Sequence, residues 1–131
     1  MRERDFNNEY SLDILANGVV HIVFKDGSSM HGEDVNLLHE RYKEVNPGHK
    51  VKVLSDIRGL RSVDMKTRKF VSDPIAEELV ESLAIIVSNS VSRVIGSFIL
   101  GLNKPKFPVK LVADEEQGFK FLNVHSHESV K

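Results

Sequence analysis

Residues 10–24 read Tyr10-Ser11-Leu12-Asp13-Ile14-Leu15-Ala16-Asn17-Gly18-Val19-Val20-His21-Ile22-Val23-Phe24. In residues 10–15, Leu12 and Ile14 point one way and Ser11 and Asp13 the other, the period of a half-buried strand. Asn17-Gly18 is the dipeptide that tight two-residue hairpins favour, because both residues tolerate positive φ. Residues 19–24 are almost continuously apolar, which predicts a strand covered on both faces. The stretch therefore predicts an antiparallel hairpin, closed by Asp26-Gly27, to which later strands add.

Beyond it the period changes. In residues 33–45, Val35, Leu38, Tyr42 and Val45 fall on one helical stripe, with Glu40, Arg41, Lys43 and Glu44 mostly outside. Asn46-Pro47-Gly48 ends that helix. Residues 51–54 read as a short strand, and Asp56-Ile57-Arg58-Gly59 as the turn that leaves it. A short helix is expected over 64–71, and a second behind Asp73 as N-cap with Pro74 at the first helical position. Residues 83–87 read as a buried strand, 91–102 as a helix behind Ser90, and 109–112 as the last strand. Asp114 and Gln117 have capping-box spacing for a final helix docked by Phe119 and Leu122. The order is β-β-α-β-α-α-β-α-β-α. Strands alternating with helices imply parallel pairing with right-handed crossovers.

The chain has 131 residues, the length of one domain, with residues 1–9 and 124–131 expected to be flexible. Eighteen basic residues balance nineteen acidic ones, so no electrostatic footprint for nucleic acid or an anionic membrane is expected. The absence of cysteine excludes disulfides, thiolate metal sites and cysteine nucleophiles. The polar start, Met1-Arg2-Glu3-Arg4-Asp5, does not read as a signal peptide, and no apolar run is long enough to span a bilayer. A cytoplasmic location is the resulting expectation.

Two stretches carry a family resemblance. Leu54-Ser55-Asp56-Ile57-Arg58-Gly59-Leu60 resembles the strand and turn of SpoIIAA-like proteins, relatives of the STAS domain. Residues 98–105, continuing through Pro108 to Lys110 and Leu111, resemble a signature of a bacterial family of unknown function that is labelled STAS-like. The resemblance implies a SpoIIAA-like α/β fold, a mixed sheet with an N-terminal antiparallel hairpin and helices packed on it. STAS antagonists bind partner proteins and carry a phosphorylatable serine after the equivalent of strand 51–54. This chain has Asp56-Ile57-Arg58-Gly59 where their pattern is Asp-Ser-Ser-Gly, so the resemblance does not extend to that serine.

No catalytic constellation is legible, and neither a cofactor nor a metal is expected. His125 and His127 lack a third ligand at suitable spacing. Gly96, Gly101 and Lys104 do not have phosphate-loop spacing. Asp56 reads as a turn carboxylate that pairs with Arg58 or caps local N–H groups. Helix 91–102 has a narrow small or polar stripe at Ser92, Arg93, Gly96 and Ser97, but its last turn is apolar all round and must be covered. Phe98, Ile99, Leu100, Leu102 and Phe107 form the candidate partner or ligand surface.

Three readings follow. The first is a non-enzymatic binding or regulatory module acting through protein contact, with a second copy (a homodimer) as one partner. The second is a carrier of an apolar small molecule, its pocket lined by Phe70, Phe98, Ile99, Leu100 and Phe107, by analogy with Sec14-type lipid-transfer domains. The third is an enzyme using Asp56 and Arg58. If the domain is phospho-regulated, Ser62 is the better of two candidates, in a loop before the helix opened by Asp64 and with Arg58 and Arg61 nearby, while Ser55 still lies in the strand and is less accessible.

Overall fold

In the computed structural model, the described residues are 10–64, 67, 69, 73–88, 90–102 and 105–124. Strands β1 (Tyr10–Ile14) and β2 (Val20–Phe24) form the antiparallel hairpin, with Leu12 opposite Ile22. Its turn differs from the expected one. Only Gly18 has positive φ (87°), and Leu15 O accepts from Gly18 N while Leu15 N donates to Val19 O. This is a three-residue loop in which Gly18 alone takes the left-handed position. Asn17 contributes through its side chain, whose Oδ1 accepts from Val19 N at 3.0 Å. Strand β2 also departs from the continuous burial expected of it: Val20, Ile22 and Phe24 are buried, while His21 and Val23 are half-buried.

After β2 come β3 (Ser28–Met30), α1 (Gly32–Val45), β4 (Val51–Asp56), β5 (Leu60–Val63), α2 (Pro74–Leu79), β6 (Val80–Ile86), α3 (Ser90–Leu102), β7 (Val109–Val112) and α4 (Glu115–Leu122). The main sheet has the order β1-β2-β4-β6-β7, parallel except for β1. Strands β3 and β5, too short and polar to stand out in the sequence, pair in parallel as a separate two-stranded sheet.

The order explains the layering. From β2 to β7 each crossover moves in the same direction across the sheet. Right-handed crossovers that never reverse place their helices on one face. One core cluster accordingly joins Ile22, Val53, Leu83 and Ile85 to Val35, Leu38 and Tyr42 of α1, Ala76 of α2, and Ile95 and Ile99 of α3. Helix α4 follows the last strand and has no crossover to make. It covers the opposite face, where Phe119 and Leu122 meet Leu54, Ala84, Ile86 and Val112. The alternation is visible along β4: Val53 serves the first core and Leu54 the second. A sheet that never reverses has no internal switch point, and so lacks the crevice in which doubly wound folds bind ligands.

The helix caps follow the sequence. Asp73 Oδ1 accepts from Ile75 N, and Asp114 Oδ1 from Gln117 N. Asn123 closes α4 in the left-handed conformation (φ 60°), with Val124 N donating back to Phe119 O. Val124, expected to begin a flexible tail, is half-buried against the second core.

Candidate functional site

The carboxyl ends of the parallel strands hold one charged cluster. Asp56 is the last residue of β4 and is buried. Its Oδ1 accepts from Arg58 N and Nε, both at 3.0 Å, and its Oδ2 accepts from Arg58 Nη2 at 2.7 Å. The same Nη2 donates to Glu115 Oε2 at 3.1 Å, at the start of α4. Sequence reading paired Asp56 with Arg58 but missed Glu115, 57 residues further on. Hydrogen bonding to Asp56 raises the Arg58 pKa above its already high ordinary value, so the guanidinium stays charged. The arrangement clamps the β4 turn to α4. It commits both Asp56 oxygens to Arg58, which leaves a structural tie rather than a carboxylate poised for proton transfer.

The regulatory candidates change in consequence. Ser62 does not lie in a loop before a helix; it is in β5, paired with Ser29 of β3, and the two hydroxyls are 2.8 Å apart. Its short polar strand looked like a loop because only Leu60 of β5 is fully buried. Arg58, expected to meet a phosphate there, is already engaged by two carboxylates. Asp64 Oδ1 accepts from Thr67 N and its Oδ2 from Gly32 N at the start of α1, while the helix expected over 64–71 lies mostly outside the described residues.

The apolar candidates turn inward. Ile99 and Phe107 are buried members of the first core, so they do not form an outer surface. Phe107 is held there by its chain neighbour, since Pro108 O accepts from Leu83 N at 2.9 Å. Leu100 is half-buried. The side chains of Phe98 and Leu102, and residues Phe70, His125 and His127, lie outside the described residues. The small stripe of α3 divides: Ser92 and Gly96 face inward, while Arg93 and Ser97 are exposed. Ser92 is fully buried and its Oγ accepts from Ser88 N, while a Cβ on Gly96 would stand 2.9 Å from Leu111 Cδ2. Small size, rather than polarity, set that face. Among the described residues, the exposed large apolar side chains of α3 are Val91 and Val94, at 49% and 53%.

Between α1 and the sheet the first core is not solid. A cavity of about 40 Å³ is floored by Ile22, Phe24, Val53, Ser55, Leu83 and Ile85, and roofed by Val35, Leu38, His39 and Tyr42 of α1. Met30, Ile57, Leu60, Val63, Thr67 and Ile99 complete its walls. A single water needs roughly 10–15 Å³ in this measure, so there is room for about three. The walls are mostly apolar, with polar groups from His39, Tyr42, Ser55 and Thr67.

His39 exposes 6% of its surface, and its ring centroid lies 6.0 Å from that of Tyr42. The 35-39-42 helical spacing places it on the buried stripe of α1. Burial lowers its pKa below the ordinary 6.5, partly opposed by Asp73. Burial also pushes the Tyr10 hydroxyl up to about 12 and that of Tyr42 higher still.

The sign of the His39 effect is fixed. The unfolded imidazole titrates at 6.5 and the folded one below it, so between those values the unfolded chain binds the extra proton. The contribution to stability is complete above 6.5 and is lost as pH falls through that value. Urea midpoints measured from pH 7.5 to 5 are therefore expected to fall more steeply for wild type than for His39→Leu. Parallel slopes would contradict the burial of a neutral imidazole.

Comparison with known proteins bears on fold and family. A family model described as "Domain of unknown function (DUF7793)" matches residues 13–126. Among solved structures, the chain is similar to an uncharacterized DUF3478-family protein with a SpoIIAA-like fold from Shewanella loihica PV-4. The TM-score is 0.56 at 14% identity, over 90% of this chain and 98% of that one, which supports the SpoIIAA-like fold implied by residues 54–60. No curated protein matches the chain. Among the described residues, no helix is long and apolar enough to cross a membrane.

Proposed function

The chain belongs to the DUF7793 family, a domain of unknown function, and on that premise we propose that it is a binding module, not an enzyme, that takes a small apolar molecule into the core between α1 and the sheet. The observation that carries this reading is the cavity in the first core between α1 and the sheet. Interiors are close-packed, and a void forfeits contacts that neighbouring side chains would otherwise make. A void in the cluster that holds three helices on the sheet reads as space kept for an occupant.

Its volume limits the occupant to a small molecule. A lipid of the Sec14 kind would need a pocket of roughly 300 Å³ or more. Met30, with three rotatable bonds, is the wall side chain best able to widen the space. The charged cluster at Asp56 supports a binding role as well, since Arg58 and Glu115 tie it into the scaffold.

Native mass spectrometry of the purified chain tests the reading. Wild type is expected to carry or take up a small apolar adduct, and Ser55→Leu, which fills the floor of the cavity, is expected to lose it. A folded wild type that binds no member of a small apolar panel would overturn the reading.

A second reading, protein contact through a homodimer, draws on a different observation. Val91 and Val94 stand exposed one turn apart on the outer face of α3. A two-fold dimer buries one self-complementary patch of this kind. Size exclusion with light scattering is expected to give a dimer at micromolar concentration for wild type and a folded monomer for Val94→Glu. A monomeric wild type removes this reading and leaves the first untouched.

A further inference from the structure

We infer that the chain has a second ligand site, at the end of the sheet opposite Asp56, and that it takes a small zwitterion, an α-amino acid with an apolar side chain. The site is the open cleft between the end of α1, the β1–β2 turn and the start of β4, about 420 Å³ against about 40 Å³ for the core cavity. Small-molecule sites span roughly 300–1,000 Å³. The inference is independent of the core cavity.

Three charged side chains line the cleft: Lys50 just before β4, Lys52 on it, and Glu81 of β6. Elsewhere opposite charges that lie close together do pair, as Lys43 does with Glu40 and Arg58 with Asp56 and Glu115. Among the described residues, Lys50, Lys52 and Glu81 are in no ion pair. They stand too far apart to neutralise one another, yet near enough to line one recess. Charge of both signs is therefore left for a ligand.

Glu81 owes its place to a break in the sheet. Val51 pairs with Val80 but Lys52 with Ser82, so Glu81 is an extra residue with no partner on β4. Helix α2 runs straight into β6, with Val80 N donating to Ala76 O, and the regular ladder begins only at Ser82. A bulge of this kind re-aims a side chain and is found next to binding sites.

The remaining wall is held in place by its own turns. Asn46 Nδ2 donates to Lys50 O at 3.4 Å, and Asn17 Oδ1 accepts from Val19 N. Ile14, Val45 and Val51 make an apolar floor that rests on the first core.

The chemistry selects the class of ligand. An α-amino acid carries its carboxylate and ammonium on one carbon, so the lysines donate to the first while Glu81 accepts from the second. Its side chain then lies on the floor. A simple anion of the same body meets repulsion from Glu81, and a simple amine meets repulsion from the two lysines.

Leucine, 4-methylpentanoate and 3-methylbutylamine make the test, since they share an apolar body and carry both charges, the carboxylate alone and the ammonium alone. Binding is followed by methyl-resolved NMR titration of the full chain at Ile14, Val45 and Val51, for wild type, Glu81→Gln and Lys50→Gln. Both substituted positions are exposed, so the variants are expected to fold. Wild type is expected to bind leucine more tightly than either analogue. Glu81→Gln is expected to weaken leucine by roughly fivefold, the factor one exposed ion pair gives, without weakening 4-methylpentanoate. Lys50→Gln is expected to weaken leucine by a similar factor without weakening 3-methylbutylamine. Either analogue binding as tightly as leucine in wild type, or Glu81→Gln weakening leucine and 4-methylpentanoate alike, overturns the inference. So does a wild type in which leucine shifts none of these methyls, or in which inorganic phosphate shifts them and leucine does not. The reading of the core cavity stands under each of these outcomes.

Discussion

Shortening Leu54 to alanine is expected to destabilise the chain by about 2–5 kcal/mol, the range for a leucine lost from a well-packed core. Leu54 is fully buried on β4, facing α4. It is also the residue that makes Gly118 necessary, because a Cβ there would stand 2.5 Å from Leu54 Cδ1. Gly118→Ala alone gains helix propensity of up to about 1 kcal/mol. It is expected to lose more, about 1–3 kcal/mol, by forcing Leu54 off its rotamer. In the Leu54→Ala background the clash is gone and the new methyl enters the space just opened. The double variant is therefore expected to be more stable than the sum of the singles predicts, by about 1–3 kcal/mol. Urea denaturation of the four proteins gives the coupling. Additive values would mean that α4 does not seat on Leu54 as described.

Gly59→Ala is the second large effect. A Cβ on Gly59 would lie 2.7 Å from Phe24 O and 2.8 Å from both the carbonyl carbon and oxygen of Lys25. These are backbone atoms, so no side-chain rotation relieves the contact. The two loops must part, and Gly59 O would lose its 2.8 Å bond from Gly27 N. The cost is expected to be about 1–3 kcal/mol, seen as a lower melting temperature with the far-ultraviolet spectrum retained. Phe24, Ile57 and Leu60 flank this junction and line the cavity, so the variant is also expected to weaken ligand uptake. A melting temperature equal to wild type would show that the loops approach less closely.

Much of the scaffold was legible because the patterns are strong. The period-two run at Tyr10 to Ile14, the helical stripe through Val35 and Tyr42, and the caps at Asp73 and Asp114 each have a local physical cause that tertiary packing reinforces. What was missed depends on contacts distant in sequence. Ser28 to Met30 and Leu60 to Val63 are strands only because they pair with each other across about 30 residues. Glu115 joins Asp56 and Arg58 because α4 crosses the carboxyl end of β4, which no spacing rule encodes. The candidate surface on α3 was misjudged for a related reason. Sequence shows that a helix is apolar all round but not which side faces the sheet, and the small residues Ser92 and Gly96 decided that in favour of close approach. The cavity had no sequence signal at all, because a void is a property of how sixteen side chains fail to meet.

The most direct measurement of the central claim is a methyl-resolved spectrum of the wild-type chain recorded under xenon pressure. Xenon enters dry apolar cavities and perturbs the methyl groups around them. The two cores supply an internal control. Saturable shifts are expected for Leu38, Val53, Leu83, Ile85 and Ile99, which line the cavity, and none for Leu122 and Val112 in the core beneath α4. Shifts of equal size in both cores, or in neither, would contradict the cavity as a ligand site.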